Sequence, residues 1–191
     1  SDTELGRTVL GDGGELGARY GTRVTGTGVG GGTITGLGSL LLSTGDFTEI
    51  MSLAATGRRQ RVDLMVSDLY RDAAESPVLS ALTAANFGRG GSRCAEGADS
   101  AEKAGGAEKA GGAGEADVAS AIVQLVVEVV AVLSIQVAST YRDPTIVLAG
   151  SPLSHPHIRE RFLEIGRHLG HRFAFLENGA FCGALGAILL R

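Results

Sequence analysis

From Ala119 to Ala138 the chain is almost uninterrupted apolar sequence, AIVQLVVEVVAVLSIQVA after its first two residues, and this run constrains the fold more than any other feature. A run of that length is either a membrane span or a helix with nearly all its faces covered by protein. Gln124, Glu128 and Gln136 lie inside it. A carboxylate near the middle of a span costs about 2.5–3.5 kcal/mol on insertion scales. The run therefore reads as a buried helix over about 117–140, around which other elements must be wrapped.

The residues after the run supply that wrapping. Pro144 precedes Thr145-Ile146-Val147-Leu148-Ala149, a β-branched run closed by Gly150 that reads as a buried strand. His157 to Leu169 reads as a helix, His171 to Leu176 as a strand, and Gly179 to Leu190 as a last helix. The small residues of that last helix (Ala180, Gly183, Ala184, Gly186, Ala187) suit close packing. Helix–strand–helix–strand–helix at these lengths argues for an α/β fold, a mixed sheet covered by helices.

Ahead of the apolar run, glycine carries the information: 30 of 191 residues, roughly twice its usual share. One cluster, Val24-Thr25-Gly26-Thr27-Gly28-Val29-Gly30-Gly31-Gly32-Thr33, is followed by Ile34, Leu37, Leu40 and Leu41 at helical spacing. These glycines read as ending a strand and opening a helix, with residues 8–24 as a hairpin region. Backbone N–H groups at a positive helix end form an anion cradle, and glycine lets a phosphate come close. The segment is neither a Walker A loop nor a clean dinucleotide fingerprint. Asp46 with Glu49 reads as a capped helix start, running through Ala55 to a stop at Gly57. Val62 to Tyr70 reads as another short helix, with Val62, Met65, Val66 and Leu69 on one face. The second glycine cluster is different: Glu-Lys-Ala-Gly-Gly-Ala occurs in tandem at 102–107 and 108–113. Residues 89–117 have too little apolar surface to offset ordering entropy and read as a flexible insertion.

Net charge is −4 with no basic stripe, which excludes a typical nucleic-acid binder. Cys94 and Cys182 match no metal or redox spacing, and two free thiols fit a reducing compartment. His155 and His157, and His168 and His171, have no carboxylate or thiol partners in sequence that would make a metal site. The division that results is 1–22 as an N-terminal hairpin region, 23–88 as the glycine segment with its helices, 89–117 as the insertion, and 118–191 as the remainder of the same lobe.

Six blocks in order carry a family likeness: Arg23–Thr27 with Gly30–Gly38, Gly57-Arg58 with Val62–Leu64 and Asp68–Tyr70, Leu82–Gly88, Ile146–Ser151, Glu177–Phe181, and Gly183–Ala187. Together they resemble the carboxy-terminal lobe of the type II (eukaryotic-like) pantothenate kinases. The resemblance implies a ribonuclease H-like, actin-like ATPase lobe and transfer of the γ-phosphate of ATP, with Mg2+, to pantothenate at the start of coenzyme A synthesis. It implies that Gly30, Gly31, Gly32, Thr33, Ile34 and Thr35 contact ATP, with Phe47 and Ser151 lining the nucleotide pocket. It also implies that Arg23 pairs with the pantothenate carboxylate, geometry that suits a guanidinium. No catalytic residue falls within this chain on that reading, because the family's base and first phosphate loop belong to an amino-terminal lobe. Gly11-Asp12-Gly13-Gly14 stands where the family carries a Gly-Thr-Gly-Thr-like loop, and Asp12 facing phosphates would repel them. The expected setting is a cytoplasmic homodimer regulated by coenzyme A or its acyl esters, without membrane or nucleic-acid partners. The alternative is a non-catalytic lobe that dimerises or binds acyl-coenzyme A or nucleotide. Exposed apolar surface is expected where a second lobe would pack.

Overall fold

The computed structural model describes residues 24–70, 82–89, 113–141 and 145–189. The hairpin reading of 8–24, Arg23, Asp12, Cys94 and most of the 89–117 insertion lie outside those residues. The described chain is mainly helical, with two two-stranded sheets. Its elements are α1 (Gly31–Leu41), α2 (Phe47–Thr56), β1 (Leu64–Met65), α3 (Val66–Leu69), β2 (Thr83–Ala85), α4 (Glu115–Tyr141), β3 (Thr145–Leu148), α5 (Pro156–Leu169), β4 (Arg172–Phe175) and α6 (Cys182–Leu189).

α4 is the apolar run, and it is the spine of the molecule. Every residue from Ala119 to Gln124 is buried, so this half of the helix is covered all round. Beyond it Val126 and a stripe of Val127, Ala131 and Ile135 remain buried, the stripe at the four-residue spacing of a single helix face. α2 packs on it most extensively, through Ile50, Met51 and Ala54, with α1 and α5 beside. By length and composition α4 is sufficient to cross a membrane, but 56% of its most apolar window is buried inside the protein. Burying a Val, Ile or Met side chain is worth about 1.5–3 kcal/mol, which is what holds these helices together. The core is continuous across the insertion, since Ile50 and Met51 share it with Ile122 and Val123.

Glu128 has a specific reason to be in the spine. Its Oε1 accepts hydrogen bonds from Gln124 Nε2 and Thr83 Oγ1, both at 2.9 Å, and lies 3.5 Å from Arg59 Nη1. A buried charge is tolerated when it is paired and hydrogen-bonded in this way.

Several elements differ from the sequence reading. Residues 24–30 form no strand; they run irregularly into α1. Leu64-Met65 is a short strand paired antiparallel with Thr83–Ala85, so only Val66–Leu69 of the expected helix is helical, and Leu69 is exposed. Gly57 does end α2, but with φ −81° rather than the left-handed turn. It is glycine because a methyl there would sit 1.8 Å from the Ala116 carbonyl oxygen. β3 pairs parallel with β4, Thr145 opposite Arg172 through Leu148 opposite Phe175. It is not a fully buried strand: Val147 is 63% exposed, because α4 and α5 cover only one face of the pair. α6 is not closely packed either: Leu185 and Ile188 are exposed, as is Phe181 just ahead of it, and among the described residues Gly183 and Gly186 have open space around them. Asp46 caps α2 as expected, its side chain accepting from the Glu49 amide at 2.9 Å.

Candidate functional site

The glycine bend is folded by two threonines. Thr27 Oγ1 accepts from the Val29 amide at 3.1 Å. Gly30, the residue ahead of α1, has no side chain with which to cap, and Thr33 serves instead. Thr33 Oγ1 accepts from the Gly30 amide at 3.0 Å and donates to the Gly28 carbonyl at 3.3 Å. The Thr33 and Ile34 amides close on the Gly30 carbonyl at 2.9 and 3.3 Å. The first amides of a helix have no intrahelical acceptor, and among the described residues nothing accepts from Gly31 or Gly32. An open groove of about 400 Å³ lies here, lined by Thr27, Gly28, Val29, Gly30, Gly32 and Thr33.

Among the described residues, apart from chain neighbours and the backbone of α1 itself, no atom lies within 4 Å of where a side chain would begin on Gly28, Gly30 or Gly32. None has a positive φ. Neither packing nor backbone geometry therefore demands glycine at these three positions, although glycine inside a helix costs up to about 1 kcal/mol relative to alanine. The space is open on the groove side. α1 carries no acidic residue in its first turn, so the partial positive charge of the helix end is uncompensated and suits an anion.

Gly31 is the exception, because it meets the turn that follows β3. Gly150 takes φ +134°, a conformation that favours glycine, and its amide donates to the Gly179 carbonyl at 3.1 Å. The chain then makes the single 3-10 turn Ser151–Ser154. A methyl on Gly31 would lie 2.6 Å from Pro152 Cγ. Phe47, the first residue of α2, stands edge-on to His155 with ring centres 6.5 Å apart. The turn from Ser151 to His155 thus touches the starts of both α1 and α2. It gathers Gly30–Thr33, Phe47 and Ser151 from three separate stretches of sequence. Two residues of the expected set contribute differently. Ile34 is fully buried in the core and offers only its backbone. The Thr35 hydroxyl donates to the Gly32 carbonyl at 3.1 Å.

Beside the turn, at the carboxyl ends of β3 and β4, is a hollow of about 210 Å³ whose lining includes Gly150, Ser154, Arg159, Asn178 and Phe181. Asn178 holds φ +55° at its rim, and the Arg159 guanidinium lies 5.4 Å from the Phe175 ring centre. Sequence reasoning did not single out Arg159, and it named Asn178 only within the Glu177–Phe181 block, with no site role. The signal that could have found them is the tendency of α/β sheets to hold ligands outside their strand carboxyl ends. Burial first, and the neighbouring Arg161 charge second, push the His157 imidazole below its ordinary range. Among the described residues no three His, Cys, Asp or Glu side chains converge as a metal cage.

A family model described as Fumble matches residues 17–190 of the chain. A protein of Oceanobacillus iheyensis named type II pantothenate kinase is 35% identical over 168 residues, covering 87% of this chain and 57% of that one. The protein of that name from Staphylococcus haemolyticus is 36% identical over 169 residues, 88% of this chain and 58% of its own. That of Bacillus anthracis is 34% identical over 168 residues, covering 87% and 55%. The chain spans a little over half the length of these curated relatives.

Proposed function

The chain belongs to the Fumble family, and from that premise we propose that it is the nucleotide-holding part of a pantothenate kinase, built as an actin-like ATPase lobe. The observation that carries the reading is the pair of unengaged amides, Gly31 and Gly32, at the head of α1 beside an open glycine groove. Those amides and the helix end hold the phosphoryl oxygens of ATP, where glycine lets the phosphates reach the backbone. Ser151 flanks the nucleotide from the adjoining turn and Phe47 from the start of α2, and Arg23 takes the pantothenate carboxylate.

Phosphoryl transfer is mostly positioning and charge neutralisation, together with a base for the hydroxyl proton. This chain supplies the positioning. Glu49 belongs to the capped first turn of α2 and Glu177 is exposed beyond β4, so neither is assigned as the base. Mg2+ commonly binds through substrate phosphates, one or two carboxylates and water. The described residues offer no cage of their own, so the ion would arrive on the nucleotide. The setting we infer is a cytoplasmic homodimer regulated by coenzyme A or its acyl esters.

Joining this chain to the amino-terminal lobe that the family resemblance implies, taken from the Oceanobacillus iheyensis relative, tests the reading. ATP-dependent phosphorylation of pantothenate is the expected result. A folded fusion that makes no product would contradict it.

A further inference from the structure

Four glycines lie between Gly28 and Gly32, and three have open space around the missing side chain. Gly31 alone is pressed by protein, and what presses it is a proline ring. We propose that Pro152 is a positioning residue for the nucleotide site, its ring setting the distance between the glycine bend and the Ser151 turn. Gly31 is glycine because that ring occupies the place of a side chain. This inference rests on the nucleotide reading and names a determinant within it.

The contact is close and unyielding. From an ideal β-carbon on Gly31, Pro152 Cγ is 2.6 Å away, Cδ 3.6 Å and Cβ 3.9 Å. Contacts below 3.0 Å essentially never occur for real β-carbons, so something must move. The ring has no flexible end to swing aside. Its turn is fixed on both sides: the Leu153 amide donates to the Gly150 carbonyl at 3.1 Å, and the His155 amide to the Pro152 carbonyl at 3.2 Å. Arg159 Nε also donates to the Leu153 carbonyl, and His155 rests against Phe47. A side chain at position 31 would therefore move the start of α1 away from the turn. The Gly31 and Gly32 amides would move with it, widening the gap to Ser151.

Removing the ring removes the conflict. In Pro152→Ala the nearest remaining side-chain atom is Cβ at 3.9 Å, an ordinary contact. Gly31 has no positive φ and opens a helix, so alanine there would otherwise stabilise the fold through helix propensity. The sign of the Gly31→Ala effect thus depends on whether Pro152 is present.

The test uses four full-length chains: unaltered, Gly31→Ala, Pro152→Ala, and both together. Each is measured for thermal midpoint and, by equilibrium dialysis, for binding of ATP and of inorganic tripolyphosphate. Gly31→Ala alone is expected to lower the midpoint and weaken ATP binding about tenfold, a normal size for coupling between touching residues. In the Pro152→Ala background the same change is expected to raise the midpoint and to weaken ATP binding at least about threefold less than it does in the unaltered chain. Equal effects of Gly31→Ala in the two backgrounds overturn the inference. Coupling in the midpoint without coupling in affinity also overturns it, because the contact would then be packing alone. If the unaltered chain binds neither ligand, the nucleotide reading fails and this inference fails with it. If it binds and the double variant is no better than Gly31→Ala, only this inference fails.

Discussion

Replacing Arg59 with methionine keeps an apolar stem and removes the guanidinium from a charged cluster that reaches into the spine helix. Arg59 is 6% exposed and Asp63 is fully buried. Arg59 Nη1 lies 3.5 Å from Glu128 Oε1 and 3.7 Å from Asp63 Oδ2, and donates to Thr83 Oγ1 at 2.5 Å. Without it two carboxylates face each other with this cation gone. Removing one partner of a buried ion pair costs about 3–5 kcal/mol. At about 2–4 °C per kcal/mol for a chain of this size, Arg59→Met lowers the thermal midpoint by about 6–20 °C. Burial already pushes the Asp63 carboxyl up, despite its hydrogen bond from the Phe87 amide. For an acid whose folded pKa is raised, stability falls as pH rises through that pKa. The loss in Arg59→Met is therefore larger at pH 8 than at pH 5. Adding Glu128→Gln removes one of the stranded charges while keeping an acceptor for Thr83 and Gln124, and recovers at least half of the loss. Circular-dichroism melts of the three proteins at the two pH values decide the matter. A shift under about 2 °C for Arg59→Met, or a double variant no better than the single, refutes the reasoning.

Asp117 ties the start of α4 to the 58–61 turn, accepting from the Arg58 amide at 2.8 Å, the Gly114 amide at 3.2 Å and Arg61 at 3.3 Å. Burial alone would raise its carboxyl, yet these donors together hold it below its ordinary value, so its contribution is present at neutral pH and lost in acid. Asp117→Asn should cost about 1–2 kcal/mol in urea unfolding at pH 7, and the difference from the unaltered chain should close below about pH 4; an unchanging difference would contradict this. Gly57→Ala drives a methyl into the Ala116 carbonyl and should cost about 3 kcal/mol or more, while Gly114→Ala, with open space around it, should stay within about 0.5 kcal/mol in the same melts. Sedimentation should show concentration-dependent self-association through the exposed Phe181, Leu185 and Ile188 face, weakened by Leu185→Glu and Ile188→Glu; a monomer at all concentrations would contradict it.

Where the governing interaction was local, the sequence was sufficient. Asp46 and Glu49 are three apart, so the cap of α2 could be read directly from their spacing. The apolar run likewise identified α4, with Glu128 as the flag that it is not a simple span. Contacts between distant residues were not legible. Nothing near Gly57 in sequence reveals the Ala116 carbonyl above it, and nothing near Gly31 reveals Pro152. Leu64-Met65 looked helical because a two-residue strand is defined by its partner, Thr83–Ala85, and not by its own period. The exposure of Val147 and of α6 has a related cause: β-branched and small residues announce burial, while what covers them is decided elsewhere in the fold. The glycine bend was legible as a helix start, but the reach of the Thr33 side chain back to Gly30 and Gly28, which decides which amides stay open, required coordinates.

The direct measurement is amide NMR on the nitrogen-labelled chain titrated with ATP and with inorganic tripolyphosphate. The Gly31 and Gly32 N–H resonances should move downfield and saturate with both ligands, while the Gly30 amide, already bonded to Thr33, moves less. Shifts concentrated elsewhere, with Gly31 and Gly32 unmoved at saturating ligand, would contradict the claim that this bend holds the phosphates.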